Sequence, residues 1–223
     1  MKLEHHLGEE AVLAYAAGTL DEATSILVAS HLSLCPQCRT VAKAAEAVGG
    51  ELMEALEPSV TVKASASDIL QVIDGEQPLS HQAISLDHPA NINQADPLLP
   101  KPLREYVSGG ITALKWRWMG PGVRFARILD NTEGARVGLM RIASGTRMPH
   151  HGHAGEEFTM VLAGGYRDVS GSYRRGDVEF ADSDVTHQPI ADDDGDCICL
   201  VVTSGALKPT GIFARILQPL MQM

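Results

Sequence analysis

The sequence predicts an α-helical unit followed by an antiparallel β unit, joined by a linker. Three observations indicate this order. Apolar residues recur at helical spacing in residues 1–75, prolines and polar residues dominate residues 76–100, and short strand-like runs broken by glycine-containing turns follow in residues 101–223. With 223 residues, of which 44% are hydrophobic and 21% charged, the chain is long enough for two such units, and its composition excludes a disordered protein.

Three helices and a short fourth one account for the N-terminal unit. They are predicted over residues 9–17, from Asp21 to Cys35, over 37–56 and over 68–73. Gly18 is a natural stop for the first helix, and Asp21 can cap the second. Pro36 separates the second from the third, and Ser67 is the predicted cap of the fourth.

The β unit is predicted from runs of strand-forming residues separated by turns. The runs cover residues 112–118, 123–129, 135–142, 157–162, 177–180 and 197–203. Short strands at such intervals favour an antiparallel sandwich or barrel.

The net charge of −10 lies entirely in the first half of the chain. Residues 1–100 hold 4 Lys and Arg against 14 Asp and Glu, whereas the remainder is balanced. This distribution argues against direct nucleic-acid binding and is compatible with binding to a basic protein surface. On the charge alone, however, a solvated acidic face is the favoured interpretation. No apolar run is long enough to cross a membrane and no secretory signal is apparent, so we expect a cytoplasmic protein.

A His-x3-Cys-x2-Cys pattern lies where the second predicted helix meets the third. Residues four apart share a helix face, so the side chains of His31 and Cys35 can reach the same position in space. Cys38, in the first turn of the next helix, can point back to that position. Zinc takes four Cys and His ligands in structural sites, so one of the neighbours His5 and His6 is the expected fourth ligand. A redox Cys-x2-Cys pair, or two buried cysteines, is the alternative interpretation.

A histidine followed by this His-x3-Cys-x2-Cys motif, within an acidic helical unit, resembles the zinc-containing anti-sigma factor domain. The resemblance covers about residues 1–75 and implies that His31, Cys35 and Cys38 bind zinc. His6 is our choice for the upstream ligand, with His5 left open.

A second constellation of metal-binding residue types lies in the β unit. His151, His153 and Glu157 share odd positions and therefore one face of an extended strand, and His187 is the only later imidazole. Two imidazoles and a carboxylate suit Zn, Mn, Fe, Ni or Cu.

The spacing Gly145-x5-His151-x-His153-x3-Glu157-x6-Gly164 resembles the first cupin motif. The second cupin motif is only partly present, in Gly176-Asp177 and His187. The resemblance covers about residues 101–210 and implies a small antiparallel β-barrel with a divalent transition metal, zinc or another, held by these His and Glu side chains.

Two cysteines near the C-terminal end form a third candidate feature. Cys197 and Cys199 are two apart, so they share a strand face and form a possible redox pair. Buried cysteines acting as small apolar residues are the alternative.

A zinc anti-sigma domain followed by one cupin resembles the ChrR family of anti-sigma factors. The resemblance implies a non-enzymatic regulator of transcription that binds a group IV (extracytoplasmic-function, ECF-type) sigma factor. It also implies that the cupin domain senses singlet oxygen or an organic hydroperoxide and thereby releases the sigma factor. The competing hypothesis is a cupin dioxygenase or isomerase whose helical extension dimerises it, and a metal buffer is a third possibility.

Overall fold

The computed structural model describes residues 3–57, 65–75, 96–129, 135–205 and 207–209. Its helices are α1 Glu9–Ala16, α2 Glu22–Leu34, α3 Pro36–Glu54, α4 Ala66–Gly75 and α5 Lys101–Arg104. Its strands are β1 Arg117–Gly120, β2 Val123–Arg127, β3 Arg136–Ile142, β4 His151–His153, β5 Glu157–Ala163, β6 Gly165–Arg167, β7 Ser172–Arg174, β8 Val178–Ala181, β9 Thr186–His187, β10 Ile190–Ala191, β11 Cys197–Thr203 and β12 Leu207–Pro209. The predicted order of helices followed by antiparallel strands is confirmed. Within these residues, no helix has the length and apolar character needed to cross a membrane.

Side-chain caps define the junctions of the first helices. Asp21 caps α2 as predicted, because its carboxylate accepts the Thr24 backbone N–H at 3.2 Å. Cys35 ends α2 and caps α3, accepting the Cys38 N–H on its sulfur at 3.4 Å, and Pro36 occupies the first turn of α3. The predicted cap Ser67 is wrong, since α4 already begins at Ala66.

Every strand pairing within the described residues is antiparallel. The largest sheet has the order β1-β2-β3-β11-β5-β8, and two three-stranded sheets have the orders β10-β6-β7 and β12-β4-β9. In the middle of the large sheet, Leu200 lies opposite Leu139 and Met160, and all three are fully buried. They belong to the core shared with the helices, whereas their strand neighbours Cys199 and Val201 belong to a second buried cluster on the opposite face.

The predicted strand over residues 112–118 is wrong for residues 112–116, since β1 begins only at Arg117. A short 3₁₀ helix, Ile111–Ala113, stands there because Gly109 and Gly110, with φ of 79° and 76°, turn the chain just before it. The turn is held by the Asp96 carboxylate, which accepts the Ile111 N–H at 2.9 Å.

The helices and the large sheet share one hydrophobic core. Leu27 and Val28 of α2 are fully buried in the same cluster as the sheet residue Leu139. Leu99 and Leu103 also join this cluster, so the last residues of the predicted 76–100 linker are packed. The rest of that linker, residues 76–95, lies outside the described residues. The helical unit is therefore seated on the β unit.

Two candidate metal centres

The first candidate centre lies at the α2–α3 junction. One ligand atom from each of His6, His31, Cys35 and Cys38 lies within 4.8 Å of every other. His6 Nδ1 is 3.3 Å from Cys35 Sγ and 3.7 Å from Cys38 Sγ, and His31 Nε2 is 3.3 Å from Cys38 Sγ. Tetrahedral zinc with its usual bond lengths places N and S ligands roughly 3.6 Å apart, so this spacing suits one zinc ion.

The chemistry of the donors also fits a metal cation. Burial and the neighbouring Cys35 raise the pKa of the Cys38 thiol to about 11, so a bound cation is needed to keep it as the thiolate at neutral pH. Burial also lowers the pKa of His31, which favours the neutral imidazole that binds metals. The Nδ1–H of His31 donates to the Gly176 carbonyl at 2.8 Å, so the lone pair is left on Nε2, facing Cys38.

His5 and His6 point in different directions. His6 contacts both cysteines, whereas His5 Nε2 lies 3.1 Å from the Ser172 carbonyl and its ring packs on Tyr173 at 4.3 Å between centroids. The structure therefore brings His6, and not His5, together with the other three predicted zinc ligands.

The second candidate centre consists of His151, His153 and His187. Strands β4 and β9 pair with His151 opposite His187, which brings their rings together. The Nε2 atom of His187 is 3.2 Å from the Nε2 atoms of both His151 and His153. Imidazoles on tetrahedral zinc have nitrogens about 3.3 Å apart, so three predicted ligands occupy suitable positions.

The hydrogen bonds at Nδ1 determine which ring nitrogen of each histidine carries the lone pair. The Nδ1–H of His151 donates to the Pro149 carbonyl at 2.8 Å. The Nδ1–H of His187 lies 2.9 Å from Asp168 Oδ2 and 3.1 Å from Glu179 Oε1. The Nε2 lone pairs of His151 and His187 therefore face each other, and a shared cation, proton or metal, relieves their repulsion.

Glu157, the fourth predicted ligand, contacts His153 but is not part of the group that the ligand atoms of the three histidines form. Its Oε2 is 3.6 Å from His153 Nδ1, and its Oε1 accepts the Thr159 hydroxyl at 3.2 Å. Burial raises the pKa of Glu157 to about 7. His153 Nδ1 is buried with no hydrogen-bond partner among the described residues, and burial lowers the pKa of this histidine to about 4. Coordination by Glu157 remains a prediction.

Three residues that hydrogen-bond to His187, directly or through one another, were not predicted. Asp168 and Glu179 accept from His187, and the Tyr166 hydroxyl donates to Glu179 Oε2 at 2.6 Å. Glu179 had a detectable signal, since a carboxylate within the apolar run Val178–Ala181 needs a buried partner. Asp168 follows β6 in a turn and has no such signal in the sequence.

A small, partly open cavity lies next to these histidines. It has a volume of about 50 Å³, and its walls include His151, Glu157, His187 and Cys199. Cys197 and Cys199 are both buried and reduced, with their sulfurs 3.4 Å apart. The contact with Cys197 and burial raise the pKa of Cys199, which favours its thiol form and fits the packing alternative, whereas the proximity of the two sulfurs is what fits the redox alternative.

Comparison with known proteins identifies the family. The family of the ChrR cupin-like domain matches residues 106–207, and a zinc-finger family matches residues 9–39. The anti-sigma-E factor ChrR of Cereibacter sphaeroides is 39% identical over 219 residues, which cover 98% of each chain. The chain belongs to the ChrR family. The crystal structure of Rhodobacter sphaeroides SigE in complex with the anti-sigma ChrR matches with a TM-score of 0.75 and 39% identity, covering 91% of this chain and 99% of that one.

Membership of the ChrR family decides between the hypotheses drawn from the sequence. The helical N-terminal unit and the cupin fold are confirmed, and the zinc-finger match together with the His and Cys cluster fits zinc. Because ChrR proteins are regulators, the hypothesis of a cupin dioxygenase or isomerase is set aside.

Proposed function

We propose that this protein is a cytoplasmic anti-sigma factor that binds a group IV (ECF-type) sigma factor and releases it on an oxidative signal. The observation that carries the proposal is the relationship over nearly the whole chain to ChrR, whose crystal structure was determined in complex with SigE. The proposed signal is singlet oxygen or an organic hydroperoxide, sensed in the cupin domain.

An exposed apolar stripe on α3 supports the proposed sigma-factor interface. Val48, Leu52 and Leu56 are spaced four apart on one side of the helix and its end, and they are 59%, 65% and 72% exposed. Ile69 and Leu70 of α4 are also exposed. Apolar side chains concentrated on two consecutive helices indicate a surface that is covered by a partner.

The charge around this stripe suits a basic partner. Four exposed glutamates lie on or near the same half of α3: Glu46, Glu51, Glu54 and Glu57. Acidic residues around an apolar centre steer association with a positively charged surface and make its rate depend on salt. The proposed partner is therefore a protein and not a nucleic acid.

The two metal centres have different proposed roles. His6, His31, Cys35 and Cys38 hold a structural zinc with no open position, which joins the N-terminal segment to the α2–α3 junction. His151, His153, His187 and Glu157 hold a divalent transition metal beside the partly open cavity. A metal there would supply a Lewis-acidic centre within reach of a small ligand.

Cys197 and Cys199 are the proposed redox pair. Oxidation joins their sulfurs and removes two protons and two electrons, while the O–O bond of a hydroperoxide is cleaved to give one alcohol and one water. The 3.4 Å separation of the sulfurs and the place of Cys199 in the cavity wall support this assignment.

The test uses the full chain, because α2 shares its core with the sheet. Tagged wild-type protein and its His31→Ala variant serve as baits in native cell extract, with bound proteins identified by mass spectrometry. A group IV sigma factor that is retained by the wild type and lost with His31→Ala supports the proposal, provided the purified wild type also inhibits transcription by that sigma factor. Failure of the wild type to retain or inhibit any sigma factor would refute it.

A further inference from the structure

The turn between β7 and β8, residues 175–177, belongs to the cupin domain but contacts the N-terminal metal centre. The Gly176 carbonyl accepts from His31 Nδ1 at 2.8 Å. Asp177 Oδ1 accepts the backbone N–H groups of Glu4 and His5 at 2.9 and 3.0 Å. One turn of the cupin domain thus orients His31 and holds the segment that delivers His6.

Asp177 is a buried carboxylate whose hydrogen bonds serve this attachment. It is 3% exposed, and its second oxygen accepts the Arg174 N–H of its own turn at 2.9 Å. The Val178 N–H in turn donates to the His5 carbonyl at 3.2 Å. Leu3 packs on Gly176, whose φ of 92° and lack of a side chain allow this contact, since a Cβ there would lie 2.7 Å from Leu3.

The same stretch of chain continues into the second metal centre. Glu179, two residues after Asp177, accepts from His187 Nδ1 at 3.1 Å and from the Tyr166 hydroxyl at 2.6 Å. The backbone between the two carboxylates is the start of β8, which pairs with β5 in the buried sheet. Two residues of strand span roughly 6.6 Å, and a packed interior transmits displacement over such a distance instead of absorbing it.

We propose that the β7–β8 turn couples the two metal centres, with Asp177 positioning the N-terminal centre and Glu179 positioning the cupin centre. A shift of His187 moves Glu179, and the connected backbone carries this shift to Asp177, to Glu4 and His5 that it holds, and so to the adjacent His6. This proposal goes beyond sigma-factor binding and is tested only by measurements on the metal centres. It can therefore fail while the proposed sigma-factor binding holds, and the reverse.

The first test is Asp177→Asn, measured on purified full-length protein. An asparagine offers one acceptor oxygen in place of two, so at least one of the three backbone N–H groups loses its partner. We expect zinc transfer from the N-terminal centre to a chelator to be about 10–100-fold faster. Cobalt substitution reports this centre separately, because its thiolate ligands give absorption that a histidine site lacks. The matched control is Asp182→Asn, since Asp182 accepts one N–H, from Asp184, near the other end of β8.

A second variant keeps the proposal testable if Asp177→Asn does not fold. Leu3→Ala removes the packing of Leu3 on Gly176 of the turn and leaves every buried carboxylate in place. We expect a smaller acceleration of zinc transfer in the same direction. Unchanged zinc transfer and cobalt spectrum in folded Asp177→Asn, or in Leu3→Ala if the former is unfolded, would overturn the positioning role of the turn.

Coupling itself is tested by Glu179→Gln. We expect this substitution to accelerate zinc transfer from the N-terminal centre in the wild-type background and to add little in Asp177→Asn. An equal effect in both backgrounds, or no effect in the wild type, would show that the turn does not connect the two centres.

Discussion

Cys35 performs three tasks at a single position. Its N–H closes α2 on the His31 carbonyl at 2.8 Å, its sulfur accepts the Cys38 N–H at the start of α3, and the same sulfur is a candidate zinc ligand. The helix junction and the metal centre therefore depend on one side chain, and substitutions can separate the two roles.

We expect Cys35→Ser to retain the helix cap and lose the zinc. Serine is a good N-cap but a poor zinc ligand, so the free energy of unfolding should fall by more than about 4 kcal/mol, at the upper end for single substitutions. Cys35→Ala should lose the cap as well. Zinc content by mass spectrometry and denaturant unfolding measure both effects. A Cys35→Ser protein that retains its zinc would contradict this role.

His151 and its neighbour His150 provide a matched pair for the cupin centre. His151 is buried with its Nε2 beside His187, whereas His150 is exposed. We expect His151→Ala to lose the cupin metal and the release of sigma factor by hydroperoxide, while His150→Ala retains both. Sigma-factor binding and N-terminal zinc should survive in both variants. Loss of binding in folded His151→Ala would contradict the proposed division of roles.

Among the elements, α2 and α3 differ in how they meet their surroundings. Helix α2 lies between the other helices and the sheet, so Leu27, Val28, Ser30 and His31 are all fully buried. Helix α3 is buried near its start, at Cys38 and Ala42, and its second half is exposed. Helix α2 therefore contributes to the core, and helix α3 carries the apolar stripe that is proposed to bind the sigma factor.

We expect Leu52→Glu, in the middle of the α3 stripe, to weaken sigma-factor binding by at least about tenfold, because it places a charge in an apolar contact. Its effect on stability should be within about 0.5 kcal/mol, since Leu52 is largely exposed. The control is Val169→Glu, at another exposed apolar residue, in the cupin domain. Titration calorimetry measures the affinity, and equal binding by both variants would exclude the stripe from the interface.

At the scale of the whole molecule, the shared core makes the helical and β units depend on each other. Leu103 of α5 is fully buried in the cluster that contains both Leu27 of α2 and Leu139 of β3. Unfolding of either unit would expose the apolar surface of the other, so the two should unfold together.

We expect Leu103→Ala to lower the free energy of unfolding by about 2–5 kcal/mol and to shift helix and sheet signals together. Far-UV circular dichroism follows the helices, and tryptophan fluorescence follows Trp116 and Trp118 near the sheet. Leu52→Ala, the same truncation at a largely exposed position of α3, is the control. Two separate transitions, with only one of them shifted, would show that the units are independent.

The sequence by itself determined the features whose parts are close together along the chain. His31, Cys35 and Cys38 span one helix junction, and helical spacing is enough to bring them together. The run from His151 to Glu157 likewise indicated the second centre, and runs of strand-forming residues between turns predicted the main strands.

Only the tertiary structure decided the features that depend on distant contacts. The contacts of His6 with Cys35 and Cys38 join positions 29 and 32 residues apart. The hold of Gly176 on His31 and the attachment of Glu4 and His5 by Asp177 join positions 145 to 173 residues apart. Asp168 and Glu179 beside His187 depend in the same way on how the strands are folded together. Local propensity carries no information on such pairs, because which surfaces meet is set by the packing of α2 on the sheet and not by the residues next to each side chain.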